Sequence, residues 1–316
     1  MLTIDRLMDG VRALKAPVVV GIDPVYERIP LAHRKDAGEG IGGAVRALES
    51  FSYDIVDAVA GIVPAVKPQM GFFECYGSDG VRAFERVSAY AHEHGLLVIE
   101  DAKRNDIGST ARAYAEGHLG TVAVRDGRAR SSYGADFLTV SPYEGAEGLD
   151  PFVEVAKREG KGIFVLVKTS NAGSLAVQGA RTEEGDTVYE TLARYVDAAG
   201  EGTVGSSGYS GIGAVVGATY PEQASRLRSL MPRSLFLVPG YGAQGAGAKE
   251  VVPCFNDDGL GALVNSSRGI IYAYEKTCGA GCTREEYRDA TRHAAESMRD
   301  DIYRTLVGHC RSMSYR

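Results

Sequence analysis

Residues 98–110 read V-I-E-D-A-K-R-N-D-I-G-S-T and join an apolar run, which begins at Leu96, to the alternating charges of Asp101, Lys103 and Asp106. If the run is a β-strand that continues far enough, Asp101 and Lys103 lie on the same face, because strand side chains alternate between faces. Asp106 follows beyond the predicted strand, on a loop or a first helical turn. Placing two carboxylates around one ammonium group has a desolvation cost, so packing alone seldom selects it. The segment therefore predicts a functional site, with a structural ion-pair ring as the alternative.

The pattern on either side of this segment predicts the fold. Eight short apolar runs, mostly separated by helical patterns, lie at residues 18–22, 62–66, 96–101, 136–140, 163–167, 214–216, 235–238 and 262–264. The helical patterns lie at residues 3–15, 41–60, 78–94, 109–116, 151–159, 187–199, 221–230 and 283–306. This alternation predicts a parallel sheet, and eight repeats predict one (β/α)8 TIM-barrel domain over residues 1–316; a doubly wound sheet is the alternative. Residues 117–134 and 200–213 are predicted to be irregular inserts.

Composition narrows the class of protein. The 316 residues are 44% hydrophobic and 24% charged, which is typical of a globular protein, and no apolar run reaches the roughly 18 residues of a membrane span. The net charge of −6, without a basic block, argues against a nucleic-acid partner but allows a small anionic ligand. The first ten residues carry acids and lack a signal-peptide core, so we expect a cytoplasmic protein. The five cysteines predict neither a disulfide framework nor a metal site.

Polar side chains gather where the apolar runs end, and in a barrel those ends share the face on which active sites are built. The main examples are Asp23, Lys67, Asp101, Lys103, Thr169, Ser170 and Arg268. Lys67, Asp101, Lys103 and Asp106 could form an alternating network of two ammonium groups and two carboxylates. Such a network keeps Lys103 charged, which suits a proton donor to a carbanion rather than a Schiff-base nucleophile.

The last two strand ends predict an anion site. P-G-Y-G-A-Q-G follows the seventh run and N-S-S-R-G follows the eighth, where barrels commonly bind phosphate. Glycines let backbone N–H groups approach an anion, and Arg268 offers a guanidinium fork; tight turns with a surface arginine are the alternative. These two segments contain the predicted substrate-binding residues Pro239, Gly240, Gln244, Ser267 and Arg268. The T-S-N-A-G-S segment at residues 169–174 suits the edge of a uracil-like ring, although alone it is only a polar loop.

Taken together, these motifs resemble the orotidine 5′-phosphate decarboxylase family. D-A-K-R-N-D-I-G-S-T is similar to that family's D-x-K-x-x-D-I-x-x-T signature. V-G-I-D-P, A-V-K-P-Q, V-K-T-S-N, V-P-G-Y-G-A-Q-G and S-R-G follow in the family's order, so the resemblance spans about residues 17–270. F-F-E and G-A-T-Y-P-E are similar to its longer bacterial branch. Two residues depart from the pattern: Ala172 stands where the family usually has proline, and Ser141 stands where this branch often has asparagine.

The resemblance implies a cofactor-free, metal-free decarboxylation of orotidine 5′-monophosphate to uridine 5′-monophosphate, in pyrimidine biosynthesis. Lys103 would protonate C6, and Asp101 and Asp106 would hold Lys103 and crowd the substrate carboxylate. The remaining implied contacts are Asp23 and Lys67 to the ribose hydroxyls, Ser170 to the pyrimidine, and Gln244 and Arg268 to the phosphate. The resemblance also implies a homodimer in which Asp106, Ile107 and Thr110 serve the partner's site.

Other activities share parts of this pattern. Magnesium-dependent keto-sugar phosphate decarboxylases and hexulose phosphate synthases use the same barrel and share D-x-K-x-x-D, but the D-I-G-S-T continuation favours the nucleotide enzyme. A catalytically silent barrel that binds nucleotides or other proteins is a third possibility. The ammonium group between two acids argues against it, because a binding module has no need of that arrangement.

Overall fold

Parallel strands with buried apolar side chains form the centre of the protein. The computed structural model describes residues 1–130, 133–242, 247–313 and 315. The strands of these residues are β1 Val18–Ile22, β2 Ala65–Pro68, β3 Leu97–Arg104, β4 Thr121–Val124, β5 Gly127–Arg130, β6 Phe137–Val140, β7 Gly162–Lys168, β8 Ser210–Val216, β9 Ser234–Pro239 and β10 Ala262–Ser266.

Eight of these strands close into a barrel in the order β1-β10-β9-β8-β7-β6-β3-β2. Every neighbouring pair is parallel, and β1 pairs with both β2 and β10, which completes the circle. An open doubly wound sheet has two unpaired edges, so closure excludes that alternative. The predicted (β/α)8 barrel is therefore confirmed.

Helices alternate with the barrel strands and bury their apolar faces against them. They are α1 Thr3–Leu14, α2 Leu31–Arg34, α3 Gly40–Val59, α4 Gly71–Glu74, α5 Gly77–Glu93, α6 Gly108–Leu119, α7 Ala146–Glu159, α8 Ser174–Val177, α9 Val188–Gly200, α10 Pro221–Leu230, α11 Ala248–Val251, α12 Arg268–Ile271 and α13 Arg284–His309. The last helix begins at a capping box, in which Thr283 accepts from the Glu286 N–H and the Glu286 side chain binds back to Thr283. No helix in the described ranges is long and apolar enough to cross a membrane.

Both segments predicted to be irregular inserts contain β-strands that the sequence pattern did not predict. Within residues 117–134, strands β4 and β5 form an antiparallel hairpin rather than an irregular loop. Its side chains are mostly exposed, so the sequence carries no core-facing alternation that would reveal strands. Within residues 200–213, barrel strand β8 already begins at Ser210. The prediction missed this start because Gly211 and Gly213 resemble loop glycines, whereas a Cβ at Gly213 would lie 2.4 Å from the Leu235 carbonyl oxygen.

Candidate active site

A cavity of about 340 Å³ opens at the carboxyl ends of the barrel strands. Its polar wall includes Lys67 from β2, Asp101 and Lys103 from β3, and Thr139 from β6. Leu166, Val215 and Leu237 form an apolar wall. The sequence prediction that Lys67, Asp101 and Lys103 share one face is thus matched by the geometry of the barrel mouth.

Asp101 is the centre of the charge network. Its Oδ2 accepts hydrogen bonds from Lys67 Nζ at 2.7 Å and Gln69 Nε2 at 2.9 Å. Its Oδ1 accepts from Lys103 Nζ at 2.5 Å and Thr139 Oγ1 at 3.0 Å. Asp101 and Lys67 are buried, whereas 45% of the Lys103 side chain is exposed. Asp101 therefore holds the Lys103 ammonium while leaving it accessible to a ligand.

The two buried charges stabilise one another. Burial alone would raise the pKa of Asp101, but the charges and hydrogen bonds of Lys67 and Lys103 outweigh burial and hold that pKa well below its usual range. Burial alone would lower the pKa of Lys67, but Asp101 and Asp23 outweigh it and raise that pKa. Both groups consequently stay ionised at neutral pH, which fixes a permanent charge array beside the cavity.

The backbone of Lys103 adopts an unusual conformation for a lysine. Its φ is 49°, in the left-handed region that disfavours residues with a Cβ, and the register of β3 against β6 shifts between Glu100 and Arg104. Lys103 N–H donates to Thr139 Oγ1 at 3.0 Å, and the same hydroxyl donates to Asp101. Thr139 thereby ties the left-handed backbone of Lys103 to the carboxylate that holds its ammonium group.

Asp23, at the end of β1, completes the charged wall. Burial raises the pKa of Asp23, and the nearby Lys67 ammonium partly opposes that rise. Its Oδ1 is buried and has no hydrogen-bond partner among the described residues. Gly21 is needed beneath it, because a Cβ there would lie 1.9 Å from Ser267 Oγ and 3.1 Å from Asp23 Oδ1. The unpaired carboxylate oxygen is available to a hydroxyl donor of a ligand.

A second cavity of about 620 Å³ adjoins the first at the ends of β9 and β10. Of the substrate-binding residues predicted on these two segments, Pro239, Gly240, Ser267 and Arg268 line it. Gly240 has a φ of 111°, a conformation that favours glycine and exposes backbone groups at this turn. Arg28 also lines this cavity; its guanidinium stacks on Tyr272 at 3.7 Å from the ring centre and is paired with the Glu275 carboxylate, so Arg268 is the main cation offered to an anion here. Gln244 lies outside the described residues.

Ser170 lies where the two cavities meet, on a loop that is tied down from several sides. Buried Lys168 donates to Ser174 Oγ at 2.5 Å and to the Thr169 carbonyl at 3.2 Å. Thr219 Oγ1 donates to the Ser170 carbonyl at 3.4 Å. Burial lowers the pKa of Lys168, and no neighbouring charge among the described residues opposes that shift. These contacts fix the backbone that presents Ser170.

Three predicted site residues lie apart from these cavities. Asp106 Oδ1 accepts from the N–H of its neighbour Ile107, and no described hydrogen bond or ion pair joins Asp106 to Lys103. Ile107 is 52% exposed, and Thr110 is also exposed. Within one chain, therefore, Asp106, Ile107 and Thr110 do not contribute to the network around Asp101.

The cavities also contain residues to which the sequence assigned no role. Gln69, Thr139, Arg28 and Asn265 contact the network or line a cavity. Gln69 belongs to the A-V-K-P-Q motif, so its position beside Lys67 was a usable signal. Thr139 sits within an apolar run, where a single polar residue is easily taken for packing, and Asn265 directly follows one. In the described ranges, no group of three His, Cys, Asp or Glu side chains is arranged to hold a metal ion.

Comparison with known proteins gives a consistent set of relatives. Residues 18–278 match the model of the "Orotidine 5′-phosphate decarboxylase / HUMPS family". The orotidine 5′-phosphate decarboxylase of Rhodopirellula baltica is 45% identical over 90% of this chain and 93% of its own length, and that of Clostridium acetobutylicum is 36% identical over 96% and 99%. Among solved structures, the Leishmania donovani OMP decarboxylase is 28% identical, with a TM-score of 0.70 over 97% of this chain and 99% of that one.

Proposed function

The chain belongs to the orotidine 5′-phosphate decarboxylase / HUMPS family, and on this premise we propose that it decarboxylates orotidine 5′-monophosphate (OMP) to uridine 5′-monophosphate (UMP). This reaction is the final step of UMP synthesis in pyrimidine biosynthesis, and we propose the cytoplasm as its location. The observation that carries the proposal is the accessible Lys103 ammonium held 2.5 Å from the buried Asp101 carboxylate, at the mouth of a barrel with an adjoining cavity lined by Arg268.

The reaction needs a fixed positive charge at the substrate's C6. When the bond from C6 to the carboxylate breaks, its electron pair stays on C6, where no ring carbonyl readily delocalises it. Lys103 would stabilise this carbanion, donate a proton to C6 and be reprotonated from solvent, while carbon dioxide leaves. The Asp101 contact supports this role because it holds the ammonium group in a fixed orientation.

Asp101 would also act on the leaving group. A carboxylate about 4 Å from the substrate carboxylate repels it by roughly 4 kcal/mol at an effective dielectric constant of about 20. That repulsion disappears as carbon dioxide departs. Apolar Leu166, Val215 and Leu237 on the opposite wall suit release of an uncharged molecule.

The remaining contacts would bind the nucleotide. Arg268, with Gly240, Pro239, Ser267 and Gln244, would hold the phosphate, and binding energy from this distant group would be used at C6. Asp23 and Lys67 would bind the ribose hydroxyls, and Ser170 would contact the pyrimidine.

We propose that the active enzyme is a homodimer with shared sites. Asp106 is not joined to its own chain's network, and the apolar Ile107 beside it is 52% exposed. In the proposed dimer, Asp106, Ile107 and Thr110 enter the partner's site, and Asp106 flanks the partner subunit's Lys103. This arrangement would supply the second carboxylate of the network.

A direct assay separates this reaction from those of magnesium-dependent relatives. Purified protein is mixed with OMP, and the loss of OMP absorbance is followed with and without an excess of EDTA. We expect equal rates, because the proposed chemistry uses only the chain's own charges. Absence of OMP turnover, or turnover that EDTA abolishes and Mg²⁺ restores, would contradict the proposal.

A further inference from the structure

Asn265, at the carboxyl end of β10, is a buried residue whose carboxamide oxygen has no partner in the described part of the chain. Asn265 as a whole is 8% exposed, and its carboxamide oxygen is buried with no hydrogen-bond partner among the described residues. Its register neighbours on the adjoining strands are Val19 and Pro239, whose side chains offer no hydrogen bond. Neither strand beside β10 therefore satisfies this carboxamide.

Asn265 lines both cavities. The cavity that contains Lys103 and the cavity that contains Arg268 share a boundary formed by Asp23, Ser170, Pro239, Asn265 and Ser267. A nucleotide with its phosphate at Arg268 and its base at Lys103 places its sugar at this boundary. Asp23 Oδ1, also on the boundary, is the other buried oxygen here without a described partner.

An unpaired carboxamide is unfavourable in a strand interior. Burying a polar group without a hydrogen bond costs free energy that an apolar residue of similar size would avoid. Buried polar groups without partners are rare in proteins, so each requires an explanation. A ligand that supplies the missing hydrogen bond explains why an amide stands among Val and Pro neighbours.

We propose that Asn265 contacts the ribose of the bound nucleotide and determines specificity for ribose over deoxyribose. A hydroxyl both donates and accepts hydrogen bonds, and a neutral carboxamide matches both functions without adding charge beside Lys67 and Asp101. Asp23 accepts from the sugar at the same boundary, so Asn265 completes a hydroxyl-binding pair. This inference rests on the proposed function, since it takes a ribonucleoside 5′-monophosphate as the ligand.

The test replaces Asn265 by a near-isosteric apolar residue and measures nucleotide binding by calorimetry. For Asn265→Leu we expect UMP to bind about 10-fold more weakly, as loss of one hydrogen bond to a buried partner predicts. The affinity for the 2′-deoxy or the 3′-deoxy analogue should fall by less than about threefold. The ratio of UMP affinity to that analogue's affinity should therefore decrease. The ligand-free variant should unfold thermally at or above the wild-type temperature, because an unpaired polar group has been removed.

Ser234→Ala is the matched control. Ser234 begins β9 at the opposite end of the barrel, and its hydroxyl is likewise buried without a described partner. This variant should bind UMP and both analogues as the wild type does. Two results would overturn the inference: unchanged UMP affinity in Asn265→Leu, or weaker binding in which the affinity for UMP relative to each deoxy analogue stays the same. Neither result would contradict the proposed decarboxylation of OMP. A wild-type protein that binds no UMP would instead overturn the proposed function and this inference with it.

Discussion

Thr139 is the residue on which the geometry of Lys103 depends most directly. A non-glycine residue with a φ of 49° carries backbone strain of about 1–3 kcal/mol, and other contacts must hold it in place. The Thr139 hydroxyl accepts the Lys103 N–H and donates to Asp101, so a single side chain holds both the strained backbone and its charged partner. Thr139 therefore acts as a positioning residue.

We predict that Thr139→Val lowers kcat by about 10- to 100-fold, equivalent to about 1.4–2.7 kcal/mol of transition-state stabilisation. Valine nearly preserves the shape of threonine but removes the hydroxyl, so Lys103 loses its fixed orientation. UMP affinity should change little, because the phosphate cavity lies at β9 and β10. Steady-state kinetics and calorimetry measure the two effects separately.

Thr139→Ser is the control for this prediction, because serine keeps the hydroxyl. It should retain most of the wild-type kcat. A Thr139→Val enzyme within about twofold of the wild-type kcat would show that the left-handed backbone at Lys103 is held without the hydroxyl.

The sequence predicted the charged residues of the site better than the residues that orient them. Strand alternation placed Asp101 and Lys103 on one face, and the end of the second run supplied Lys67. The left-handed backbone at Lys103 could not be predicted, because it depends on a hydrogen bond to Thr139, a residue on another strand. Asn265 was also missed, since its role follows from the absence of partners on its neighbouring strands.

At the scale of elements, the close approach of β8 to the β7 loop positions Ser170. Gly217 follows β8, and a Cβ there would lie 2.9 Å from Ser170 N, 2.9 Å from Ser170 Cβ and 3.0 Å from Ser170 Cα. Gly217 N–H also donates to the Lys168 carbonyl at 2.8 Å. Moving backbone atoms aside costs more free energy than moving a flexible side chain, so this contact requires glycine.

We predict that Gly217→Ala displaces Ser170 and raises the KM for OMP by at least about 10-fold, with a smaller change in kcat. The reason is that Ser170 lines the cavity in which we propose the nucleotide binds, whereas Lys103 and Asp101 lie on a different strand. Initial-rate measurements over a range of OMP concentrations separate the two constants.

Gly173→Ala, in the same loop, provides the comparison. A Cβ at Gly173 would meet only Asn171 Nδ2, at an ordinary distance of 3.6 Å. This variant should keep the wild-type KM. Equal KM values for the two alanine variants would show that the approach to Gly217 does not position Ser170.

The sequence predicts a strand when burial of that strand imposes a run of apolar residues, and it misses strands that lack such a run. The buried barrel strands gave continuous apolar runs, and closure followed from their number. The β4–β5 hairpin carries exposed side chains, and the start of β8 contains glycines packed against β9, so neither produces such a run.

At the scale of the whole molecule, the proposed homodimer explains why Asp106 stands apart from the network of its own chain. Its carboxylate accepts only from the adjacent Ile107 N–H among the described hydrogen bonds. The site built by one chain would therefore lack its second carboxylate until a partner supplies it. This division leads to a complementation experiment.

Inactive Lys103→Ala and Asp106→Ala chains, mixed and allowed to exchange subunits, should recover activity. In each hybrid dimer one site combines a wild-type Lys103 with a wild-type Asp106, so exchange to a random mixture restores up to about one quarter of all sites. Activity is assayed before and after exchange, which is verified with differently tagged chains. No recovery after proven exchange would place Asp106 in its own chain's site.

The role of Lys103 as the proton donor to C6 is the central claim, and the most direct test is the Lys103→Ala enzyme, assayed for OMP decarboxylation and for UMP binding in the same preparation. Alanine retains a Cβ, so the substitution leaves the backbone preference at this position unchanged. Lys15→Ala is the matched control, because Lys15 is the other described non-glycine residue with a positive φ, at 51°, and it lies at the end of α1. We predict that Lys103→Ala binds UMP but shows no detectable decarboxylation, while Lys15→Ala turns over OMP normally. Near-normal turnover by Lys103→Ala would contradict the account.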